Sequence, residues 1–450
     1  MNPTLTPTYT NRLPPGPRPA LPGANLLRLQ RDPLGFLTHM ARQYGDFSCL
    51  QIGSRRIYLA NHPDYIESVL VSQSSAFQKG PALQRARLLL GDGLLTSEGE
   101  LHLRQRRLIQ PAFHRQQMEG YARVMADQAA RQMAGWQDGA ILDIAAEMTQ
   151  LTLRTAGQAF FGADLAEQGS ELSQAVSDLV ELFGQSLNPL SGLLLHLPLP
   201  QTRRFERARA RLNRAVSGLL PAQRPGDGDG SLLGLLLQAS QQAPEVLDAQ
   251  ALHDHALTLL LAGHETTANA LTWALYLLAL HPNEAGRVRD EVRLVCGGRL
   301  PCAADLPRLV ETRQALSETL RLYPPAWAIG RQARQQVFLG GYSLPQGSLV
   351  LLSQWVTQRD PRYYPDPERF DPSRWTPQAA ASRPRYAYFP FGGGSRQCIG
   401  ESFAWTEGVL VLAALLGSWE FHLLPGQSHT PQPSITLRPQ GGMKMLLHRL

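Results

Sequence analysis

The chain is 450 residues long, with 43 Lys+Arg against 37 Asp+Glu and a formal net charge of +6. An apolar fraction of 43% and a charged fraction of 18% fit a packed globular protein and exclude a disordered or collagen-like one. The length allows about three domains at roughly 150 residues each, or one large domain with room to enclose a cofactor.

Among the basic residues only Lys79 and Lys444 are lysine; the rest are arginine, which reads as coding bias. No run of five or more basic residues occurs, which argues against nucleic-acid binding. The four cysteines, Cys49, Cys296, Cys302 and Cys398, form neither a C-x-x-C pair nor a zinc pattern. Four in this length is no disulfide framework and points to a reducing compartment. The N-terminus lacks a basic region followed by an apolar core. The longest uncharged stretch in a helical pattern, Thr266 to Leu280, has 15 residues, against about 20 for a membrane span. A cytoplasmic protein with no transmembrane anchor is expected.

In chain order, Met1 to Gly23 holds seven prolines and reads as an extended lead-in, residues 1–24. Pro33 to Tyr44 is amphipathic. Phe47 to Ile52, a Gly53-Ser54 turn and Arg56 to Ala60 predict a hairpin. From about Asn61 to Tyr323 the pattern is mostly helical. It is broken by a Pro/Gly/Asp loop at Pro221 to Gly230, read as a surface connection within one domain. The longest helix starts near an Asp248 N-cap and stops before Pro282. Val337 to Leu352 predicts strands around Gly340-Gly341. Glu420 to Leu424, Ser434 to Arg438 and Met443 to Arg449 predict a further strand group. The fold class is mainly α with a minor β part, and residues 25–450 read as one domain.

Phe391-Gly-Gly-Gly-Ser-Arg-Gln-Cys-Ile-Gly400 carries the pattern F-x-x-G-x-R-x-C-x-G. It places one cysteine on a tight glycine loop just before a helix running from Glu401 to about Leu416. Amide groups at a helix start stabilise a thiolate. Glycines let backbone approach a large flat ligand, and Arg396 is placed to pair with an anionic group on it. This segment resembles the haem-binding loop of the cytochromes P-450. The resemblance implies that Cys398 is the axial thiolate ligand of haem iron, with Phe391 and Gly400 forming the rest of the loop. It implies a large helical domain around a buried haem, with a small β-rich region. The haem would be haem b (iron protoporphyrin IX), because the C-x-x-C-H pattern of covalent attachment is absent.

Three more segments extend the resemblance. Glu318-Thr-Leu-Arg321 puts Glu and Arg on one helix face. With Arg369 of Pro367-Glu-Arg-Phe370 it matches the family's E-x-x-R…P-x-R-F arrangement, which implies a buried structural triad. Ala262-Gly263-His264-Glu265-Thr266-Thr267 lies inside the long helix, where Gly costs about 1 kcal/mol relative to Ala. A break in the helical ladder there would open a groove. In the family this groove holds dioxygen, which implies that Thr266 hydrogen-bonds the reacting oxygen and that Glu265 relays protons. H-E-x-x-H zinc binding is excluded because position 268 is alanine. His102-Leu-Arg-Gln-Arg106 takes the histidine form of the family's W-x-x-x-R. Residues at i, i+4 share a face, so His102 and Arg106 are expected on one haem propionate. Arg331 is expected on the other.

The resemblance covers nearly the whole chain. It implies a monooxygenase that inserts one oxygen atom from dioxygen into a C–H bond of an apolar substrate. No flavin or nicotinamide motif follows, so ferredoxin and ferredoxin reductase are expected as separate electron donors. Arg104, Arg107 and Arg115 would offer the ferredoxin a basic face. Ser186 to Pro200 is apolar, where the family has its substrate-access cap. Leu320 to Trp327 and Thr436 to Gly442 resemble bacterial carotenoid ring hydroxylases, giving a carotenoid β-ionone ring as first choice and a fatty acid as second. A peroxide-driven peroxygenase and a non-catalytic haem binder are the rival classes.

Overall fold

A computed structural model describes residues 12–18, 21, 23–53, 55–164, 200–219, 231–427 and 429–450, without the side chains of 200–202. Of the apolar segment Ser186 to Pro200, residues 186–199 lie outside these, as does the loop Pro221 to Gly230. The chain divides into two compact units. One comprises Met1–Gln84, Ala326–Arg369 and Pro377–Cys398; the other comprises Arg85–Pro325, Phe370–Thr376 and Ile399–Leu450.

The first unit is built on a five-stranded sheet in the order Phe47–Ile52, Arg55–Ala60, Leu349–Leu352, Ile329–Ala333, Phe77–Lys79. The expected hairpin is present: Phe47 pairs with Ala60 and Ile52 with Arg55. Its turn uses Gly53 at φ 59°, a left-handed conformation open to glycine at little cost. Arg55–Ala60 then pairs in parallel with Leu349–Leu352. A second hairpin, Val337–Leu339 with Tyr342–Leu344, turns at Gly340-Gly341 as the sequence predicts. The helix Pro33–Tyr44 starts at an Asp32 cap with proline in its first turn, and buries Leu34, Phe36, Leu37 and Met40. Part of the proline-rich lead-in is tied to the first strand, since Cys49 N–H donates to the Pro15 carbonyl at 2.9 Å.

The second unit is mostly helical, and one apolar cluster in it gathers Ile109, Phe160, Leu212, Leu257 and Phe403. The long helix, Ala249–Leu280, has 32 residues. Asp248 caps it by accepting from the Ala251 amide at 2.8 Å. It is apolar on most faces and buried on most faces, which go together in a core helix. Ile144–Phe161 packs along it, and Glu401–Leu416 packs on Arg115–Ala134. Trp273 of the long helix stacks on Tyr323, with ring centroids 4.1 Å apart. A three-stranded sheet follows the order Ile141–Asp143, Lys444–Arg449, Trp419–Leu423. The expected strand over Ser434 to Arg438 is displaced. The strands are Pro431–Pro433 and Leu437–Pro439, and Ser434 to Thr436 form the turn. Prolines at both strand ends are tolerated because this two-stranded ribbon is all edge. Among the described residues no helix is long and apolar enough to cross a membrane.

Candidate active site

In the first unit the cysteine loop is a glycine-built turn. Gly392 and Gly394 sit at φ 72° and 65°. A Cβ on Gly394 would fall 1.9 Å from the Leu70 carbonyl oxygen, and one on Gly393 2.7 Å from the Tyr386 ring. Only glycine lets the loop close onto the wide helical turn Ser68–Ser72. The loop is pinned by Cys398 N–H donating to the Phe391 carbonyl at 3.0 Å and by Gln397 N–H donating to the Gly394 carbonyl at 3.1 Å. Cys398 ends this turn, exposed and outside any disulfide. Gly400, two residues on, is the N-cap of Glu401–Leu416, as the sequence predicts. Arg396 closes a short 3-10 turn in the loop and is half-buried. Arg331 lies on Ile329–Ala333, buried, with Nη1 donating to the Gly330 carbonyl at 3.1 Å.

In the second unit the middle of the long helix is where its burial fails. Residues 252 and 254–260 are buried and so are 267–275, yet Ala262 is exposed and Gly263, Glu265 and Thr266 are half-open. The helix is continuous through this stretch, so the expected break in the ladder is not what opens it. Thr266 Oγ1 donates to the Ala262 carbonyl at 2.8 Å, the bond back to the previous turn common for helical Thr. Gly263 has a packing reason as well: a Cβ there would stand 2.5 Å from Phe160 Cε2. His264 faces the core with Nδ1 2.6 Å from the Leu260 carbonyl, and burial pushes its pKa down.

Glu265 is anchored from the C-terminal ribbon. Its Oε1 accepts from Thr436 Oγ1 at 2.5 Å and from Arg438 Nη2 at 2.7 Å. Asn269 Nδ2 donates to the same Thr436 oxygen at 3.2 Å. Neither Thr436 nor Arg438 stands out in the sequence as a partner of Glu265, because 171 residues separate Thr436 from it.

His102 and Arg106 occupy one face of Gly99–Ile109, His102 buried and Arg106 half-buried. Arg104, Arg107 and Arg115 are exposed. Glu318 and Arg321 form a fully buried bidentate pair, with Arg321 Nε and Nη2 each 2.8 Å from a Glu318 oxygen. The Asp371 amide and Trp375 Nε1 also donate to Glu318, each at 3.0 Å, and Arg374 Nε stands 3.3 Å from its Oε1. Here the expected triad is corrected. Arg369, expected to be buried, is exposed, and a further cation beside Glu318 is Arg374, whose side chain is only 10% exposed. The short 3-10 turn Pro372–Trp375 brings Arg374 and Trp375 back onto the helix Val310–Leu322.

One residue escapes the sequence reading. Glu407 lies fully buried in Glu401–Leu416, and burial pushes its pKa up to about 8, with the Thr267 and Thr155 hydroxyls its polar neighbours. The sequence does mark it, as the lone acid within an otherwise apolar stretch of that helix.

The donor chemistry fits a haem. Cys398 is exposed and outside any disulfide, as a metal-ligating sulfur has to be. Among the described residues no group of three or more His, Cys, Asp or Glu could hold a metal ion. Phe391, Arg396, Cys398 and Arg331 belong to the first unit; His102, Arg106, Gly263, Glu265, Thr266 and Gly400 belong to the second.

Comparison with known proteins gives the same direction. The family model described as Cytochrome P450 matches residues 14–446. Cyclooctatin synthase of Streptomyces melanosporofaciens is 41% identical over 425 residues, covering 93% of this chain and 92% of the relative. Cyclooctat-9-en-7-ol 5-monooxygenase of the same organism is 37% identical, covering 93% and 91%. Pentalenene oxygenase of Streptomyces avermitilis is 34% identical, covering 92% and 90%.

Proposed function

Since the chain belongs to the cytochrome P450 family and is an oxidoreductase of it, we propose that it is a haem-thiolate monooxygenase that hydroxylates a cyclic terpenoid. The observation that carries the substrate class is the naming of its relatives, two of which act by name on cyclooctat-9-en-7-ol and pentalenene. Those names favour a terpenoid over a fatty acid. They give the carotenoid β-ionone ring no particular support. That ring stays one member of the proposed class rather than its first choice.

When bound, haem b supplies the dioxygen and electron chemistry. Cys398 would ligate it through its sulfur, on a turn whose backbone is held by the Cys398–Phe391 and Gln397–Gly394 hydrogen bonds. His102, Arg106, Arg331 and Arg396 would hold its carboxylates by charge-assisted bonds. Ala262, Gly263 and Thr266 leave the reaction side of the long helix open. The Thr266 hydroxyl donates its proton to the Ala262 carbonyl, so its oxygen is left as an acceptor. Glu265 delivers protons once its carboxylate leaves Arg438 and Thr436. Electrons come from a separate redox partner, a ferredoxin with its reductase, drawn to the exposed Arg104, Arg107 and Arg115. Monooxygenase-named relatives favour this reading over a peroxygenase or a silent haem binder.

The test is the carbon-monoxide difference spectrum of the reduced protein, followed by turnover with ferredoxin, its reductase and a panel of cyclic terpenoids, β-carotene and fatty acids. A red-shifted thiolate-type band that vanishes in Cys398→Ala, with a hydroxylated terpenoid product, is the expected result. No such band in the native protein overturns the haem reading. A fatty acid as the sole substrate turned over overturns the substrate class.

A further inference from the structure

In the second unit, residues 91–98 join Pro81–Leu90 to Gly99–Ile109, the helix that carries His102 and Arg106. Three successive residues of this loop meet the first half of the long helix. The Asp92 amide donates to Asp254 Oδ2 at 2.7 Å, and the Leu94 amide donates to His255 Nδ1 at 3.2 Å. Gly93, between them, lies against Thr258: a Cβ there would collide with Thr258 Oγ1, and a Cβ on Gly91 would collide with the Asp254 carboxylate. Asp254, His255 and Thr258 are all buried. Thr96 Oγ1 folds the loop onto itself by donating to the Gly91 carbonyl at 2.7 Å, and Gln105 Nε2 donates to the Asp92 carbonyl at 3.0 Å.

The two side chains that accept the loop amides differ in kind. An imidazole accepts through Nδ1 only while it is neutral, with its proton on Nε2. A second proton would set a ring N–H against the Leu94 N–H and take this acceptor away from a buried amide. His255 Nε2 has no hydrogen-bond partner among the described residues, so no acceptor is placed to stabilise an imidazolium. His253 and Asp254 precede His255 on its own helix, and the loop brings Asp92, paired with Arg87, and Glu98. Leu232–Gln242, packed on the long helix, carries no charged side chain, and the arginines of Pro200–Leu219 are exposed. On Ile144–Phe161, Glu147 accepts from Trp136 and Arg154 donates to Gln150. His102 is buried in Gly99–Ile109. Burial, rather than any of these charges, lowers the pKa of His255 from 6.5 to about 4.

We propose that residues 91–98 form a latch closed on the long helix by Asp254 and His255, and that acid opens it at His255. With the loop open, the imidazole titrates near its ordinary value of 6.5. The closed form is therefore at full strength above about pH 6.5 and weakens as the pH falls toward 4. Between pH 7 and pH 5 the open fraction should rise about twentyfold. Opening frees the chain that leads into Gly99–Ile109, so the start of that helix loosens with the loop.

Amide hydrogen exchange of the purified full-length protein measures the opening. It is read by mass spectrometry on peptides spanning 91–98 and corrected for the intrinsic exchange rate at each pH. In wild type the protection of the loop is expected to fall about twentyfold from pH 7 to pH 5. His255→Asn places Oδ1 where Nδ1 stands and does not titrate, so it should keep the protection and lose its pH dependence. His255→Leu removes the acceptor and should leave the loop poorly protected at both pH values. The asparagine variant carries the test if the leucine variant does not fold. Peptides spanning 267–275, the buried second half of the long helix, should keep their protection throughout. A flat profile in wild type, or a pH dependence that persists in His255→Asn, overturns the inference. So does a loss of protection at 267–275 in step with the loop, which would mean that the whole unit unfolds rather than the latch.

Discussion

Arg438 holds Glu265 at 2.7 Å from a C-terminal ribbon 173 residues away, at a partly open stretch in the middle of the long helix. The pair is partly exposed, Glu265 at 14% and Arg438 at 25% of their side-chain surfaces, so the ion pair contributes less than about 1 kcal/mol to stability. Its consequence is positional: a carboxylate so held is aimed at the ribbon until it is released.

Glu265→Gln keeps the shape and the hydrogen bonds but removes the proton carrier. Product formation is expected to fall about 100-fold, the lower end for a lost acid–base group. Arg438→Gln is expected to keep turnover within a few-fold of wild type and to shift the thermal midpoint little. Thr266→Ala should raise oxygen consumption per product formed. Coupling measured as product per oxygen consumed checks all three. A loss in Arg438→Gln as deep as that in Glu265→Gln would mean that the tether, not the proton, is what matters. An unchanged ratio in Thr266→Ala would favour the peroxide-driven route.

Gly263→Ala tests the packing reading of that glycine. The added methyl meets Phe160 Cε2 at 2.5 Å, and Phe160 is itself wedged against Phe403, with centroids 4.8 Å apart. Overpacking of this kind costs about 1–3 kcal/mol. The variant should unfold at lower denaturant with an unchanged slope, and Phe160→Leu should recover part of the loss. If Gly263→Ala is as stable as wild type, the glycine is there for the oxygen groove alone.

Arg321→Met removes one partner of a fully buried ion pair and leaves Glu318 with the Asp371 amide, Trp375 and the neighbouring Arg374. Uncompensated buried charge costs about 3–5 kcal/mol. The expected outcome is poor soluble yield and a lowered unfolding midpoint. Arg374→Met should cost less, since its Nε stands at ion-pair distance from Glu318 without an aligned hydrogen bond. Equal losses in the two variants would make Arg374 a full member of the buried cluster.

The contrast between Arg369 and Arg374 shows where reading the sequence stops. Local signals carry far. The Asp248 cap, the proline that stops the long helix, the Gly340-Gly341 turn and the Pro33–Tyr44 helix all depend on neighbours within a few residues. The cysteine loop is equally local, since its glycines and its hydrogen bonds lie within eight positions. Which arginine stands over Glu318 depends instead on how a chain segment about 50 residues downstream folds back, and no period or cap encodes that. The same holds for Arg438 on Glu265. Its place is set by tertiary packing and strand register, and an isolated arginine in the sequence carries no mark of either.

Glu407 gives the last prediction its sign. Its pKa is raised from the ordinary carboxyl value to about 8 by burial, so the folded protein keeps this group protonated where the unfolded chain has ionised it. The unfolded state therefore sheds a proton between the ordinary carboxyl pKa near 4.5 and about pH 8, and folding loses stability to this group across that window. Below the window both states are protonated and the penalty is absent; above it the penalty is constant. Glu407→Gln stays neutral at every pH and can occupy the same space beside Thr155 and Thr267. Relative to wild type it should be progressively stabilised as pH rises from about 4.5 to 8, and the gain should then level off. Urea unfolding midpoints at about pH 4, 6 and 8 measure this directly. A stability difference that does not change with pH would mean that Glu407 is ionised in the folded protein, and that Thr155 and Thr267 compensate its charge.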